Sequence, residues 1–206
     1  MALLFAKNNS LSAVTALPTA VSGGALNLIS TQTASSSSTI DFTTGIDSTY
    51  KEYIFKFINV HPATSDASFT FNMSVDGGSN YNVTKTTTTP RAYHDEADSE
   101  AALEYDTGQD LAQSTSFQGI SRFLGNGNDE CGSGTLHIFN PSSTTFVKHF
   151  MSTFNVYNNS GSNGNSVQVD VAGYGNTTSA IDGVQFAMSS GNIDSGTIKL
   201  YGIKGS

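Results

Sequence analysis

Polar and apolar positions alternate along much of this chain with a period of two. In residues 195–203 (SGTIKLYGI), Ile198 and Leu200 fall on one side while Lys199 and Tyr201 fall on the other. Successive side chains of an extended chain point to opposite faces, so this pattern predicts a half-buried strand, here one that closes a sheet. Residues 50–60 (YKEYIFKFINV) carry apolar groups on both faces, which predicts a central strand with Phe55 and Phe57 in the core. Residues 68–75 send Phe69, Phe71, Met73 and Val75 to one side. Asp76-Gly77-Gly78-Ser79 then supplies a turn, and residues 81–89 are expected to return alongside as a hairpin. Further strands are predicted at 39–42, 114–124, 134–139, 144–157, 167–174 and 183–188. Asn140-Pro141-Ser142-Ser143 separates two of them, its proline presetting φ for a turn. No segment has the 3.6-residue period of a long helix. The elements predict an all-β fold, an antiparallel β-sandwich of jelly-roll type with an extended N-terminal arm.

Two stretches break the alternation. Residues 1–38 carry Lys7 as their one charge, and Leu17-Pro18, Ser22-Gly23-Gly24 and the serine run 35–38 interrupt every period. The segment is nevertheless apolar, with Leu3, Leu4, Phe5, Leu11, Leu17, Leu26 and Ile29 spread along it. A flexible linker would be mostly Gly and Ser, and an independent fold would need longer periodic runs. Residues 1–38 are therefore expected to be an assembly arm that orders against another subunit; the alternative is an edge strand over the chain's own core. The sandwich domain then spans 39–206. The second stretch, residues 90–112, holds the densest acidic run and is expected to form a long loop or one short helix.

Composition sharpens this picture. The hydrophobic share of 37%, with 13 Phe and 8 Tyr, is enough for a core, while charged residues make only 13%. Ser and Thr together fill 53 of 206 positions, which suits a hydroxyl-coated strand surface with polar turns. A net charge of −8, with nine unclustered Lys and Arg, argues against a nucleic-acid partner, because a phosphate-binding face needs grouped cations. The single Cys131 excludes an intramolecular disulfide, so stability must come from packing or oligomerisation. No run approaches the ~18 apolar residues of a membrane span, and residues 1–6 are too short for a secretory signal core.

Candidate chemistry is sparse. Ser74-x-Asp76-x-Gly78-x-x-Tyr81 has the form of an Asp-box turn, in which the Asp side chain accepts backbone N–H bonds and the aromatic ring packs beneath. It occurs once, so we read it as a turn and nothing more. The run His94-Asp95-Glu96-Ala97-Asp98-Ser99-Glu100, with Glu104, Asp106 and Asp110 beyond it, offers carboxylates to a hard cation but lacks EF-hand spacing. His61, His94, His137 and His149 share no metal-ligand spacing, no G-x-S-x-G elbow is present, and Cys131 has no obvious base in its sequence neighbourhood. No catalytic, metal or cofactor site is expected.

Three segments carry a resemblance: Ile46-Asp47-Ser48-Thr49-Tyr50-Lys51-Glu52-Tyr53, then Ser74-Val75-Asp76-Gly77-Gly78-Ser79-Asn80-Tyr81, and Gly196-Thr197-Ile198-Lys199-Leu200-Tyr201-Gly202. They resemble a group of marine bacteriophage virion proteins whose strand-rich domain opens on I-D-x-x-Y-x-x-Y and closes on G-x-I-x-L-Y-G. The likeness covers residues 38–203, and more weakly 3–30. It implies a place on the outside of a phage particle and transfers no catalytic residue. The leading expectation is a non-enzymatic tail-fibre, spike or other host-recognition subunit, docked through its arm to other virion proteins and assembled as a homotrimer or another homo-oligomer. Its contacts with a host surface glycan are then expected on polar loops, with Tyr93, His94, Asp95, Glu96, Tyr105, Tyr157 and Asn158 as candidates. The alternative is a capsid decoration (cement) protein. More remote is a glycan-degrading enzyme, for which Glu96, Glu100 and Glu104 are the clustered carboxylates.

Overall fold

A computed structural model describes residues 25–158 and 163–203. In chain order its first strands are β1 (Leu26–Ser37), β2 (Ile40–Phe42), β3 (Glu52–Pro62), β4 (Phe69–Ser74), β5 (Lys85–Thr88), β6 (Pro90–Asp95) and β7 (Ala101–Tyr105). They are followed by β8 (Gln118–Gly119), β9 (Gly132–Phe139), β10 (Lys148–Asn158), β11 (Asn165–Gly175), β12 (Gly183–Met188) and β13 (Ile193–Ile203). The larger sheet runs β1-β13-β3-β9-β10-β11-β6-β7, with β5 also on β11, and the smaller runs β2-β12-β4-β8. All pairings are antiparallel and neither sheet closes into a barrel. The described residues are thus all-β, as the alternation predicts, and the two sheets are consistent with a sandwich.

One aromatic core joins the sheets. Phe186 of β12 lies 5.0 Å from Phe55, 5.2 Å from Phe57, 5.6 Å from Phe69 and 6.1 Å from Phe42, measured between ring centroids. Phe71 of β4 meets Phe150 of β10 edge to face at 5.1 Å. Phe55, Phe57, Phe69, Phe71, Ile198 and Leu200, expected to share one core, are all buried in it. Every residue of β4 is buried, because this strand has neighbours on both edges and packing on both faces; Val75, expected inward, lies past its end and is exposed.

The remaining departures from the expected elements have local causes. Residues 81–89 do not return beside β4, whose edges are taken by β12 and β8. The Asp76 turn forms, but the chain then crosses to the larger sheet, where β5 pairs with β11. The buried Asn72 guides this crossing by donating from Nδ2 to the carbonyls of Tyr81 (2.7 Å) and Thr115 (2.9 Å). Residues 90–112 contain a β-hairpin instead of a loop or helix. Its turn is built by Asp95, whose Oδ1 accepts from Ser99 N at 2.8 Å and Glu100 N at 3.0 Å, while Asp98 takes a left-handed φ of 55°. Residues 114–124 keep only the short β8, with single bridges from Ser114 to Lys85 and from Leu124 to Ala67 at the two ends and a left-handed Phe123 (φ 57°) just before the second.

The expected arm is also divided. Leu3, Leu4, Phe5, Leu11 and Leu17 lie outside the described residues. Leu26 and Ile29 belong to β1, which pairs along most of its length with β13 and buries Ala34 in the core. Residues 26–37 are therefore the edge strand of the larger sheet, and a domain boundary at 38 would part β1 from its partner.

Candidate recognition surface

At one end of the larger sheet the β6–β7 hairpin meets the connection between β10 and β11. The pairing of Asn165 with Asp95 begins the β11–β6 ladder. Beyond it, Glu96 N donates to Gly164 O at 2.8 Å and Asn163 Nδ2 to Asp95 Oδ2 at 3.4 Å. Two segments 60 or more residues apart in sequence are thereby laced into one tip. Tyr157 belongs to it: a Cβ built on Gly164 would lie 2.7 Å from the Tyr157 ring and 2.8 Å from the Glu96 carboxyl carbon. Desolvation first, then the carboxylates of Glu96, Asp129 and Glu130, push the Tyr157 hydroxyl above its ordinary range, so the tip is an acidic surface around a phenol.

The residues expected to contact a host divide into four groups. Glu96 and Tyr157 stand together at the tip. His94 is exposed beside them and pairs with Asp98 at 3.1 Å. Asp95 is buried and committed to its turn; bonds from Ser99 and the Glu100 N–H hold its carboxyl down at about 2, well below the usual carboxylate range. Tyr105 lies at the far end of β7, opposite Pro90, and donates to Asp110 at 2.9 Å.

Tyr93 and Asn158 converge on a cleft of about 190 Å³ just inside the tip, together with Arg91, Glu100, Phe123 and Asn165. Arg91 and Tyr93 share the inner face of β6. The Arg91 guanidinium lies 5.9 Å from the Tyr93 ring centre and 5.3 Å from that of Phe123, while Arg122 covers Phe123 at 4.5 Å. Carboxylates balance both cations: Arg91 donates to Glu104 at 2.6 Å, and Asp106 sits 3.1 Å from Arg122 and 3.8 Å from Arg91. Asn158 Nδ2 donates to the carbonyl of Phe123. Arg91 and Phe123 escaped the sequence reading, Arg91 because it stood in a supposed loop and Phe123 because a positive φ in a bulky residue has no sequence signature.

The acidic run is dispersed by these contacts. Asp95 caps its turn, Glu104 and Asp106 face arginines, and Asp110 meets Tyr105. Among the described residues no group of three or more His, Cys, Asp or Glu is placed to hold a metal ion. Cys131 shares a cleft of about 320 Å³ with His61 and Asp194. There His61 directs Nδ1 at Asp194 (3.4 Å) and Nε2 at Gly127 O (3.1 Å), so both ring nitrogens are engaged away from the thiol. The Asp-box segment forms the turn its pattern suggests: Asp76 Oδ1 accepts from Ser74 Oγ (2.8 Å) and Asn80 N (2.9 Å). No family model, curated protein or solved structure matches the chain.

Proposed function

We propose that the chain is a non-enzymatic structural subunit on the outer surface of a bacteriophage particle, serving host recognition as part of a tail fibre, spike or similar appendage. In this reading the sandwich is of jelly-roll type and the subunit assembles as a homotrimer or another homo-oligomer. It docks to other virion proteins through its N-terminal arm, and it needs neither cofactor nor nucleic acid. The observation that carries the reading is the lacing of Asp95 and Glu96 to residues 163–165. A polar, acidic tip is thereby fixed to the ends of long strand ladders, where its residues can change without disturbing the core. The resemblance of the two end motifs to phage virion proteins supports the location.

A capsid decoration role is the second reading, and β1 favours it. This strand is an outer edge of the larger sheet and has no charged residue or proline among its 12 residues. Such an edge is open to pairing with a neighbouring subunit. One experiment separates the two readings. Residues 96–100 are replaced by a Gly-Ser stretch of equal length, leaving Asp95 in place, and particles carrying the variant are scored for integrity and host adsorption. Intact particles that no longer adsorb support recognition. Normal adsorption, or particles that fail to form, moves the protein to decoration.

A further inference from the structure

The cleft between the β6–β7 hairpin and residue 123 has features that the tip itself lacks. It is small, about 190 Å³, below the ~300–1,000 Å³ of a site for a drug-sized ligand, so its size suits a single ring. Two aromatic groups, Tyr93 and Phe123, line it and give an apolar wall. The Asn165 carboxamide and the Glu100 carboxylate supply donors and acceptors on the same cleft, while Asn158 lines it with its Nδ2 committed to the Phe123 carbonyl. Phe123 is held at φ 57°, a left-handed conformation that a bulky side chain rarely adopts. Contacts fix it there: two guanidiniums over its ring and the Asn158 amide on its carbonyl. Strain of this kind, maintained by surrounding groups, is found where a side chain is being presented.

Charge narrows the ligand further. Arg91 and Arg122 are balanced by Glu104 and Asp106, so the cleft offers no net positive charge. Glu100 adds a carboxylate to its lining, and the chain as a whole carries −8. An anionic ligand is repelled. A neutral ring with an apolar face and several vicinal hydroxyls fits: the apolar face lies on an aromatic wall while the hydroxyls meet the Asn165 amide and the carboxylate.

We propose that this cleft binds one neutral pyranose unit of a glycan, between the rings of Tyr93 and Phe123 and the polar groups of Asn165 and Glu100. The inference rests on the host-recognition reading and gives it a ligand class. The binding step is non-covalent, and Arg91 acts as a positioning residue for both rings.

The test is saturation-transfer NMR on the full chain. The probes are the methyl glycosides of glucose, galactose, mannose and N-acetylglucosamine, with the methyl glycoside of glucuronic acid as the anionic comparator. Each is used at about 10 mM, since single-ring ligands bind in the ~1 mM range. At least one neutral glycoside is expected to receive saturation from aromatic protons, and the glucuronide none. The signal should fall at least about fivefold in Asn165→Ala and in Phe123→Gly, and persist in Lys56→Ala. Phe123→Gly also relieves the left-handed strain; Asn165→Ala keeps the test valid should that variant fold poorly. No transfer to any neutral sugar, transfer that both cleft variants retain, or a preference for the glucuronide overturns the proposal. Failure here combined with lost adsorption in the 96–100 exchange leaves host recognition standing and removes only this site. Sugar binding combined with normal adsorption does the reverse.

Discussion

The ring of Tyr50 lies across Gly202: a Cβ built on that glycine would come within 2.3 Å of Tyr50 Cδ2. Tyr53, edge to face with Tyr50 at 5.7 Å, pairs with Gly202 in the β3–β13 ladder, and its hydroxyl donates to Asp47. The two motifs at either end of the domain, I-D-x-x-Y-x-x-Y and G-x-I-x-L-Y-G, are thus two halves of one contact. Their spacing in sequence reflects a first central strand and a last strand that must meet.

Gly202→Ala is expected to destabilise the chain by about 1–2 kcal/mol, because the methyl displaces the Tyr50 ring from the strand. Tyr50→Ser removes the obstruction, so the double variant should recover part of the loss. A double-mutant cycle in urea measures the coupling. Strictly additive losses would show that the ring does not need the glycine.

Phe186 touches four other phenylalanines across both sheets. Phe186→Ala should cost about 3–5 kcal/mol, and Phe55→Ala a similar amount, since neither fully buried site can collapse around the cavity. Chemical denaturation gives both values. A loss below about 1 kcal/mol at either site would contradict the single shared core.

The core was legible in the sequence because period-two alternation of Phe, Ile and Leu survives in β3, β4 and β13. The crossing after residue 80 was not, since a run of threonines fits either sheet and only the buried Asn72 and Lys85 decide the path. The β6–β7 hairpin was hidden for a related reason. It is an edge hairpin with Leu103 and Tyr105 exposed, so it has no apolar stripe to reveal it. Of the candidate contacts, Tyr93, Glu96, Tyr157 and Asn158 come together near one end, whereas Asp95 turned out to be a turn builder, a role that Asp four residues before Ser also permits.

The edge strand β1 makes a sharp prediction about truncation. A chain beginning at Ala25 keeps every described pairing and should melt close to the full chain. A chain beginning at Ser38 loses the β1–β13 ladder and bares the edge of β13. Its loss is expected to be about 3 kcal/mol or more, roughly 6–12 °C in Tm for a chain of this size. Equal melting of the two truncations would mean that residues 26–37 are an arm after all and not part of the sheet.

Lys85 is fully buried, and its Nζ donates to Asn72 Oδ1 at 2.6 Å and to Val83 O at 2.8 Å, both uncharged acceptors. Burial pushes its amine down to about 7, against 10.5 for a free lysine. Burial lowers Lys148 in the same direction; its partner Gly175 in the β10–β11 ladder also pairs with Lys85. Between pH 7 and 10.5 the unfolded chain therefore binds more protons than the folded one, and stability rises with pH. The gain should reach up to about 4 kcal/mol by pH 10, at ~1.4 kcal/mol for each pKa unit. Above pH 10 the buried Tyr53, whose hydroxyl is pushed up by desolvation, opposes it, because the unfolded phenol ionises first. Urea unfolding at pH 6.5, 8 and 9.5 checks the trend, with Lys85→Met as the comparison. Methionine fills the same volume without a charge to desolvate, so this variant should lose most of the pH slope and be at least as stable as the parent near neutrality. A parent whose stability is flat or falls from pH 7 to 9.5 would show that Lys85 remains protonated in the core.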